Sequence, residues 1–268
     1  MDGPPIYQVD AFADAPFAGN PAAVVVLDGP ADATWMQSLG AEMNLSETAF
    51  VHPEGSGWAL RWFTPAVEVA LCGHATLASA HALWEGGHVP AGRPIAFTTL
   101  SGVLTATADG EWIALDFPAV PPREAPAPAG LREALGVDAV WTGAAAPNVL
   151  VEVATPAAVA AAAPDFAALL AATTASGVQG VILMAAGGER GADVTSRYFA
   201  PYAGIDEDPV TGSAHCALGP LWAGRLGRED LVCHQASARG GIVRVGVRGD
   251  RVRLGGRAVT VLAGRLAV

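Results

Sequence analysis

Lysine is absent from this chain, and all fifteen basic residues are arginine. That excludes a Schiff-base lysine and, with it, pyridoxal phosphate held covalently in the usual way. Positive charge is scarce altogether: twenty-six acids against fifteen arginines leave a net charge of −11, and no basic run occurs. Nucleic acid and anionic membrane surfaces both demand a positive footprint, so neither is an expected partner and a small molecule is. An anionic one would have to be held by local donors against the field of the whole chain, which aligned backbone N–H groups can do. Cysteine is sparse too. Cys72, Cys216 and Cys233 are odd in number, and the opening MDGPPIYQVD has neither a basic nor an apolar leader segment, so a cytoplasmic location is expected. A long hydrophobic run is also missing, because the most apolar stretch, Ala157 to Thr174, is interrupted by Pro164 and Asp165 and reads as a soluble helix.

What is there is a repeat. Arg61-Trp62-Phe63-Thr64-Pro65 leads to Gly73-His74-Ala75 and an apolar helical stretch; Arg197-Tyr198-Phe199-Ala200-Pro201 leads to Gly212-Ser213-Ala214 and another. With 268 residues, 51% of them apolar, the chain can fill two moderate cores. Two similar lobes follow, each with a Gly-started helix N-terminus where they face each other. Strands are expected at Ile6 to Phe12, Ala22 to Leu27, Thr48 to His52 and Trp58 to Phe63, with helices from Asp32 toward Glu42 and from Gly73 through Leu83. Ile95 to Ala108, bent near Gly102, and Trp112 to Phe117 close the first unit. The proline-rich run from Pro118 to Gly130 reads as the linker. Beyond it, Val149 to Val153 repeats Ala22 to Leu27, with Pro147-Asn148 standing where Asn20-Pro21 stood. The helix Ala157 to Thr173, the strand Val181 to Met184, the Gly212 helix and strands at 231–236, 241–247 and 251–254 complete the expectation. The lobes are thus 1–117 and 118–258, with 259–268 returning to the first.

Gly73 and Gly212 occupy matched positions, and glycine there lets backbone N–H groups approach a ligand with no side chain between, although each alone also reads as a turn glycine. A helix end contributes ~0.3–1 kcal/mol toward a nearby anion, or ~2 kcal/mol when partly buried, so two convergent ends would fix a carboxylate without lysine. Glu47, in Asn44-Leu45-Ser46-Glu47-Thr48-Ala49-Phe50, puts a carboxyl into an otherwise apolar strand. Burial should raise its pKa toward neutrality and suit it to acid–base work; on an edge it would only face solvent. Asp206-Glu207-Asp208 precede the Gly212 helix. One of them caps it, or Asp208 approaches His74 to form a carboxylate–imidazole pair. Ser213, which matches His74, is either a first-turn residue or a hydroxyl donor to the ligand. Cys72 opens a racemase reading, but its matched residue is Thr211 and Cys216 lies one turn further on, so the symmetric thiol pair is missing. A metal site from Cys72, His74, His81, His215 and Cys216 fits no recognised zinc spacing, and no metal is expected. His52, His88 and His234 form no constellation.

The segments VDAFADAPFAGNPAAVV, NLSETAFV, LRWFTPAVEVALCGHATLASA and RYFAPYAGIDEDPVTGSAHCALGPLW, in order from about Val9 to Trp222, resemble the phenazine-biosynthesis PhzF-like family, relatives of diaminopimelate epimerase. The resemblance implies an α/β (α+β) diaminopimelate epimerase-like fold: two pseudo-symmetric lobes, each a central helix wrapped by a mixed, mostly antiparallel sheet, with a ligand cleft between them. It implies catalysis by Glu47, His74 and Asp208, with Asn20, Gly73, Ala75, Gly212 and Ser213 contacting substrate. The epimerases place a cysteine where this chain has Gly73 and Gly212, which disfavours thiol chemistry. The expected activity is isomerisation of a small carboxylate by a proton shift between carbons, without a cofactor, in a protein whose relatives often pair as homodimers. An amino-acid racemase using Cys72 and a non-enzymatic ligand- or protein-binding module are the alternatives.

Overall fold

The computed structural model describes residues 3–268, and the chain forms two compact units. One holds the residues up to Phe117 together with Leu254–Val268; the other is Pro118–Arg253.

In the first unit the order is β1 (Pro5–Ala11), β2 (Asn20–Val26), α1 (Ala33–Met43), β3 (Glu47–Glu54), β4 (Gly57–Phe63), β5 (Glu68–Val69), α2 (Gly73–Glu85), β6 (Ile95–Thr99), β7 (Gly102–Asp109) and β8 (Trp112–Pro118). The turn into β2 is fixed by Gly19 at φ +63° and by the Phe17 amide, which donates to the buried carboxylate of Asp10 at 2.7 Å. β1–β2 is antiparallel, β2–β3 parallel, β3–β4 antiparallel, β4–β6 parallel and β6–β7 antiparallel. Each parallel pair needs a crossover, supplied by α1 and then by β5 with α2. Side chains alternate across the strands, so Val25, Phe50 and Phe63 pack with Met36 and Leu39 of α1. Glu47, Ala49 and Val51 fall on the opposite face, toward α2. That helix is buried nearly all round and packs against β1, β2, β3, β7 and β18 (Ala258–Arg265), the last of which pairs antiparallel with β1.

The second unit contains β9 (Arg123–Glu124), α3 (Leu131–Leu135), β10 (Ala139–Ala145), β11 (Asn148–Val153), α4 (Pro156–Ala161), α5 (Phe166–Ser176), β12 (Gly180–Ala186), β13 (Val194–Phe199), β14 (Glu207–Asp208), α6 (Gly212–Leu226), β15 (Asp230–Gln235) and β16 (Gly241–Arg248). β17 (Arg251–Gly256) runs across the boundary between the units. The ladder from β10 through β11, β12, β13 and β15 to β16 repeats the first in sense: antiparallel, parallel, antiparallel, parallel, antiparallel. Its peripheral core joins Val181, Leu183 and Phe199 to Leu131, Val159 and Leu169 of the flanking helices, while α6 packs on β15 and β16. The single helix expected over Ala157 to Thr173 is two, α4 and α5. Pro164 lacks the N–H that a continuous ladder needs, and Thr155 and Asp165 each cap a fresh start. The expected strand from Ile95 to Ala108 is a hairpin, β6–β7, turning at Gly102 with φ +92°.

The repeated Arg-aromatic-Phe segments do one job twice. Arg61 forks onto Glu68 at 2.7 and 2.8 Å, and Arg197 onto Glu207 at 2.7 Å for both bonds. Each arginine also lies over the ring of the phenylalanine two residues on. The short strands β5 and β14 are thereby fastened beside β4 and β13, with Phe63 opposite Glu68 and Phe199 opposite Glu207. Four residues after Val69 and Asp208, the second residues of those strands, come Gly73 and Gly212. The second fork is the more buried, its side chains 13% and 17% exposed against 35% and 25%. Glu207→Ala should therefore lower unfolding stability by about 2–3 kcal/mol, and Glu68→Ala by about 1 kcal/mol or less. Urea denaturation checks this; equal losses would show that burial does not set the strength of these forks.

Candidate active site

The central helices α2 and α6 begin differently from α1, α4 and α5. Asp32, Thr155 and Asp165 accept hydrogen bonds from first-turn amides of α1, α4 and α5. At α2 and α6 the N-cap residues are Cys72 and Thr211, and neither side chain caps its helix. A helix start left this way keeps amide donors and the positive end of the helix dipole available to an anion.

At the start of α2 the structure gathers four polar side chains. Glu47 opens β3 on the α2 face, and its Oε2 lies 3.0 Å from His74 Nε2, with the two side chains 18% and 6% exposed. The contact is an ion pair by distance and not a well-directed hydrogen bond, so Oε2 retains hydrogen-bonding capacity. On the other side of the ring, Asn20 Nδ2 lies 3.2 Å from His74 Nδ1, and Ser46 Oγ lies 3.4 Å from Asn20 Oδ1. An amide nitrogen only donates, so this arrangement fits a neutral His74 with its proton on Nε2, facing Glu47. Turning the Asn20 carboxamide over would offer Oδ1 to a protonated Nδ1, and the Ser46 hydroxyl can serve either orientation.

Burial is the largest single influence on Glu47 and would raise its pKa, but the His74 charge, the contact with His74 and the Cys72 thiol together outweigh it, and the carboxyl lies below its ordinary value. His74 moves the other way. Burial opposes its protonation, while the Cys72 sulfur and the Glu47 carboxylate favour it and hold it well above the ordinary imidazole value. Burial and the charge of Glu47 push the Cys72 thiol up to about 11. It is therefore neutral near pH 7, which leaves Glu47 as the opposing charge. The rise expected for Glu47 from burial is thus reversed by an imidazole that sits 27 positions away in sequence.

In the second unit, Asp208 accepts a short hydrogen bond from the Thr211 hydroxyl. Gln235, fully buried on β15, accepts from the Thr211 amide at 2.9 Å and donates to the Asp208 carbonyl at 2.8 Å and to Thr211 Oγ1 at 3.2 Å. With the Thr211 oxygen receiving from Gln235, its own proton is directed at Asp208, which is held as an acceptor. Gly212 is buried at the first position of α6, and Ser213 beside it is exposed.

Glu47, His74, Asn20, Gly73 and Ala75 are thus brought together in the first unit, and Asp208, Gly212 and Ser213 in the second. Glu47 places a carboxylate against His74. Asn20 is fully buried behind His74. Gln235 was not legible beforehand, because its contacts span 24 to 27 residues and no local pattern marks it. Glu47, Cys72 and His74 are a donor set a metal ion can use, their ligand atoms lying within 4.8 Å of one another. The Cys72 sulfur lies 3.5 Å from His74 Nδ1 and 4.0 Å from Nε2. Among the described residues no helix is long and apolar enough to cross a membrane.

The family profile described as "Phenazine biosynthesis-like protein" matches residues 9–264. An uncharacterized isomerase of Halalkalibacterium halodurans is 48% identical over 263 residues, which cover 98% of each chain. The crystal structure of a phenazine biosynthesis protein of the PhzF family from Enterococcus faecalis superposes with a TM-score of 0.93 at 40% identity, over 99% of this chain and 100% of that one. A probable proline racemase from Agrobacterium radiobacter, 14% identical, shares the fold at a TM-score of 0.66 over 99% of this chain and 93% of that one.

The ion pair has a definite pH window. Glu47, lowered on folding, contributes stability that is lost as pH falls through its folded value, below 4.5; His74, raised, contributes stability that is lost as pH rises through its folded value, above 6.5. In imidazole-detected NMR, His74 should stay protonated past pH 6.5, and Glu47→Gln should bring its titration down, since burial then acts without its counter-charge. His215, which burial depresses to about 4, is the internal reference. A His74 titration unmoved by Glu47→Gln would show that the carboxylate does not set its charge.

Proposed function

The chain belongs to the phenazine biosynthesis-like, or PhzF-like, family of isomerases, and we propose that it is a cofactor-independent isomerase that moves a proton between carbons of a small carboxylate substrate. The observation that carries this reading is the buried Glu47–His74 pair at the start of an uncapped helix.

In this mechanism the amides that open α2 from Gly73 hold the substrate carboxylate and fix its orientation, the Ala75 amide also reaching the Cys72 sulfur. Glu47, ionised across the neutral range, takes a proton from a substrate carbon, and the C–H electron pair passes into the conjugated system of the substrate. The carboxylic acid so formed returns that proton to a second carbon of the same molecule and is again a carboxylate. Substrate and product have the same atoms, and no electrons are gained or lost. A carboxylate held below its ordinary pKa is a weak base, so the developing negative charge must be stabilised. His74 Nε2–H and the helix amides are the donors placed for that task. Asp208, kept as an acceptor by Thr211 and Gln235, and Ser213 are the polar groups the second unit offers at the start of α6. The racemase alternative fares worse: the Cys72 thiol is neutral near pH 7, and its matched residue is Thr211.

Removing a general base costs typically 10²–10⁴-fold, so Glu47→Gln should lower turnover by that factor with little change in folding. Proton NMR in deuterated water, following isotope incorporation at the reacting carbons, is the measurement. Wild-type activity should fall on the acid side below pH 4.5, as Glu47 protonates, and on the alkaline side above pH 6.5, as His74 loses its proton. Full activity in Glu47→Gln would remove Glu47 from the proton-carrying role.

A further inference from the structure

Cys72 is a group the proton transfer does not use. Its side chain is buried at the start of α2 without capping the helix, and it touches the same imidazole as Glu47. Cys72 and His74 come from one helix end, whereas Glu47 comes from β3, 25 positions before the cysteine. That distance hides the set from any reading of ligand spacing. All three residues belong to the first unit. A thiolate, an imidazole and a carboxylate are the donor types that zinc takes from proteins.

The spacing of the donor atoms is close to that of a tetrahedral centre. Zinc–nitrogen and zinc–oxygen bonds of about 2.1 Å and a zinc–sulfur bond of about 2.3 Å set nitrogen about 3.4 Å from oxygen and about 3.6 Å from sulfur. Here His74 Nε2 lies 3.0 Å from Glu47 Oε2 and 4.0 Å from Cys72 Sγ, and no two ligand atoms are more than 4.8 Å apart. The first edge has to open and the second to close by about 0.4 Å each, which small side-chain rotations supply. Glu47 Oε2 is buried and without a directed hydrogen bond, so its lone pairs are uncommitted. With Nε2 on a metal, the ring proton sits on Nδ1. The Asn20 carboxamide, turned over, accepts that proton and is itself steadied by Ser46, the outer contact that a ligating histidine requires.

We propose that Glu47, Cys72 and His74 form a binding site for a thiophilic divalent cation, Zn²⁺ above all, with the fourth position left to water. Coordination breaks the Cys72 S–H bond and, with the ring protonated, the His74 Nε2–H bond; two protons leave to solvent, and metal–sulfur and metal–nitrogen bonds form in their place. One divalent cation thus replaces two protons, the net charge of the buried site is unchanged, and nothing is oxidised or reduced. The positive end of α2 favours the thiolate. Sulfur and nitrogen donors select against Mg²⁺ and Ca²⁺, which take oxygen. The metal would occupy the carboxylate and the ring nitrogen that the proposed proton transfer uses, so the bound form is inactive. That consequence rests on the isomerase reading; the binding itself does not.

Cobalt(II) titration of the full chain, metal-free and with its cysteines reduced, reads the site directly, because thiolate-bound tetrahedral cobalt shows a sulfur-to-metal charge-transfer band. Wild type should take up one Co²⁺ per chain with that band, and Zn²⁺ should displace it. Cys72→Ser should lose the band. Glu47→Gln should keep it and bind roughly 10–100-fold more weakly or worse, since a ligand costs no less than an outer-shell partner. Added Zn²⁺ should also shift the His74 imidazole signals in NMR and leave those of His215 in place. Absence of the band in wild type, its persistence in Cys72→Ser, an affinity unmoved by Glu47→Gln, or His74 signals indifferent to Zn²⁺ would each overturn the site. Should Cys72→Ser fail to fold, Glu47→Gln and the imidazole signals decide. None of these outcomes touches the isomerase reading, which stands or falls on isotope incorporation.

Discussion

A carboxylate and an imidazole, both largely withdrawn from water and 3.0 Å apart, set the character of this molecule. Neither group would carry charge comfortably at its site alone, since burial penalises the charged form of each. Together they reverse that penalty. The ordinary route by which a buried glutamate becomes an acid–base group is an upward drift of its pKa, which leaves it protonated and ready to donate. Here the partner keeps Glu47 ionised, and in the proposed reaction the stronger demand falls on the groups that stabilise charge in the substrate. The open end of α2 meets part of that demand. Its dipole is worth ~0.3–1 kcal/mol toward an anion, rising to ~2 kcal/mol when partly buried, and it disfavours a cationic His74 by a similar amount. Against that effect and burial, the Cys72 sulfur and the Glu47 carboxylate together hold His74 above its ordinary value.

The scaffold achieves this by repeating one plan and varying its residues. In both units a parallel crossover delivers a strand, an antiparallel partner returns, an Arg–Glu fork fastens a two-residue strand, and a glycine opens a central helix without a cap. Such symmetry belongs to the backbone. At the matched side chains the units differ: Phe63 lies opposite Thr48 and Phe199 opposite Val181, so Gly180 stands where the first unit has Glu47, and Ser213 stands where it has His74. A two-base reaction would want the same proton-carrying group in each copy. These differences leave one copy of the Glu47–His74 pair, which suits the proposed reaction that lifts and returns one proton.

Much of this was legible in the sequence because it is written locally. The paired Arg-aromatic-Phe segments and the glycines that follow them predict the helices that begin at Gly73 and Gly212, and the apolar run of β2 predicts a buried strand. Glu47 stood out as a charge in apolar company. What was not legible depends on contacts distant in sequence. The sign of the Glu47 shift requires His74; Asn20, beside a turn in sequence, proves to lie behind that imidazole, and Gln235 reaches Asp208 across 27 residues. The sequence also sets Pro147-Asn148 against Asn20-Pro21, whereas the ladders, matched through Phe63 opposite Thr48 and Phe199 opposite Val181, place Asn148 with Ala22. A shift of that size reverses which face of a strand a residue occupies, and only the register resolves it.

The most direct examination of the central claim is a crystal structure of the chain with a small carboxylate bound. The account predicts the ligand carboxylate on the amides at the start of α2, with a Glu47 oxygen about 3–3.5 Å from a hydrogen-bearing carbon and His74 Nε2 on the same ligand. A carboxylate seated away from those amides, or a Glu47 side chain directed away from every ligand carbon, would contradict it.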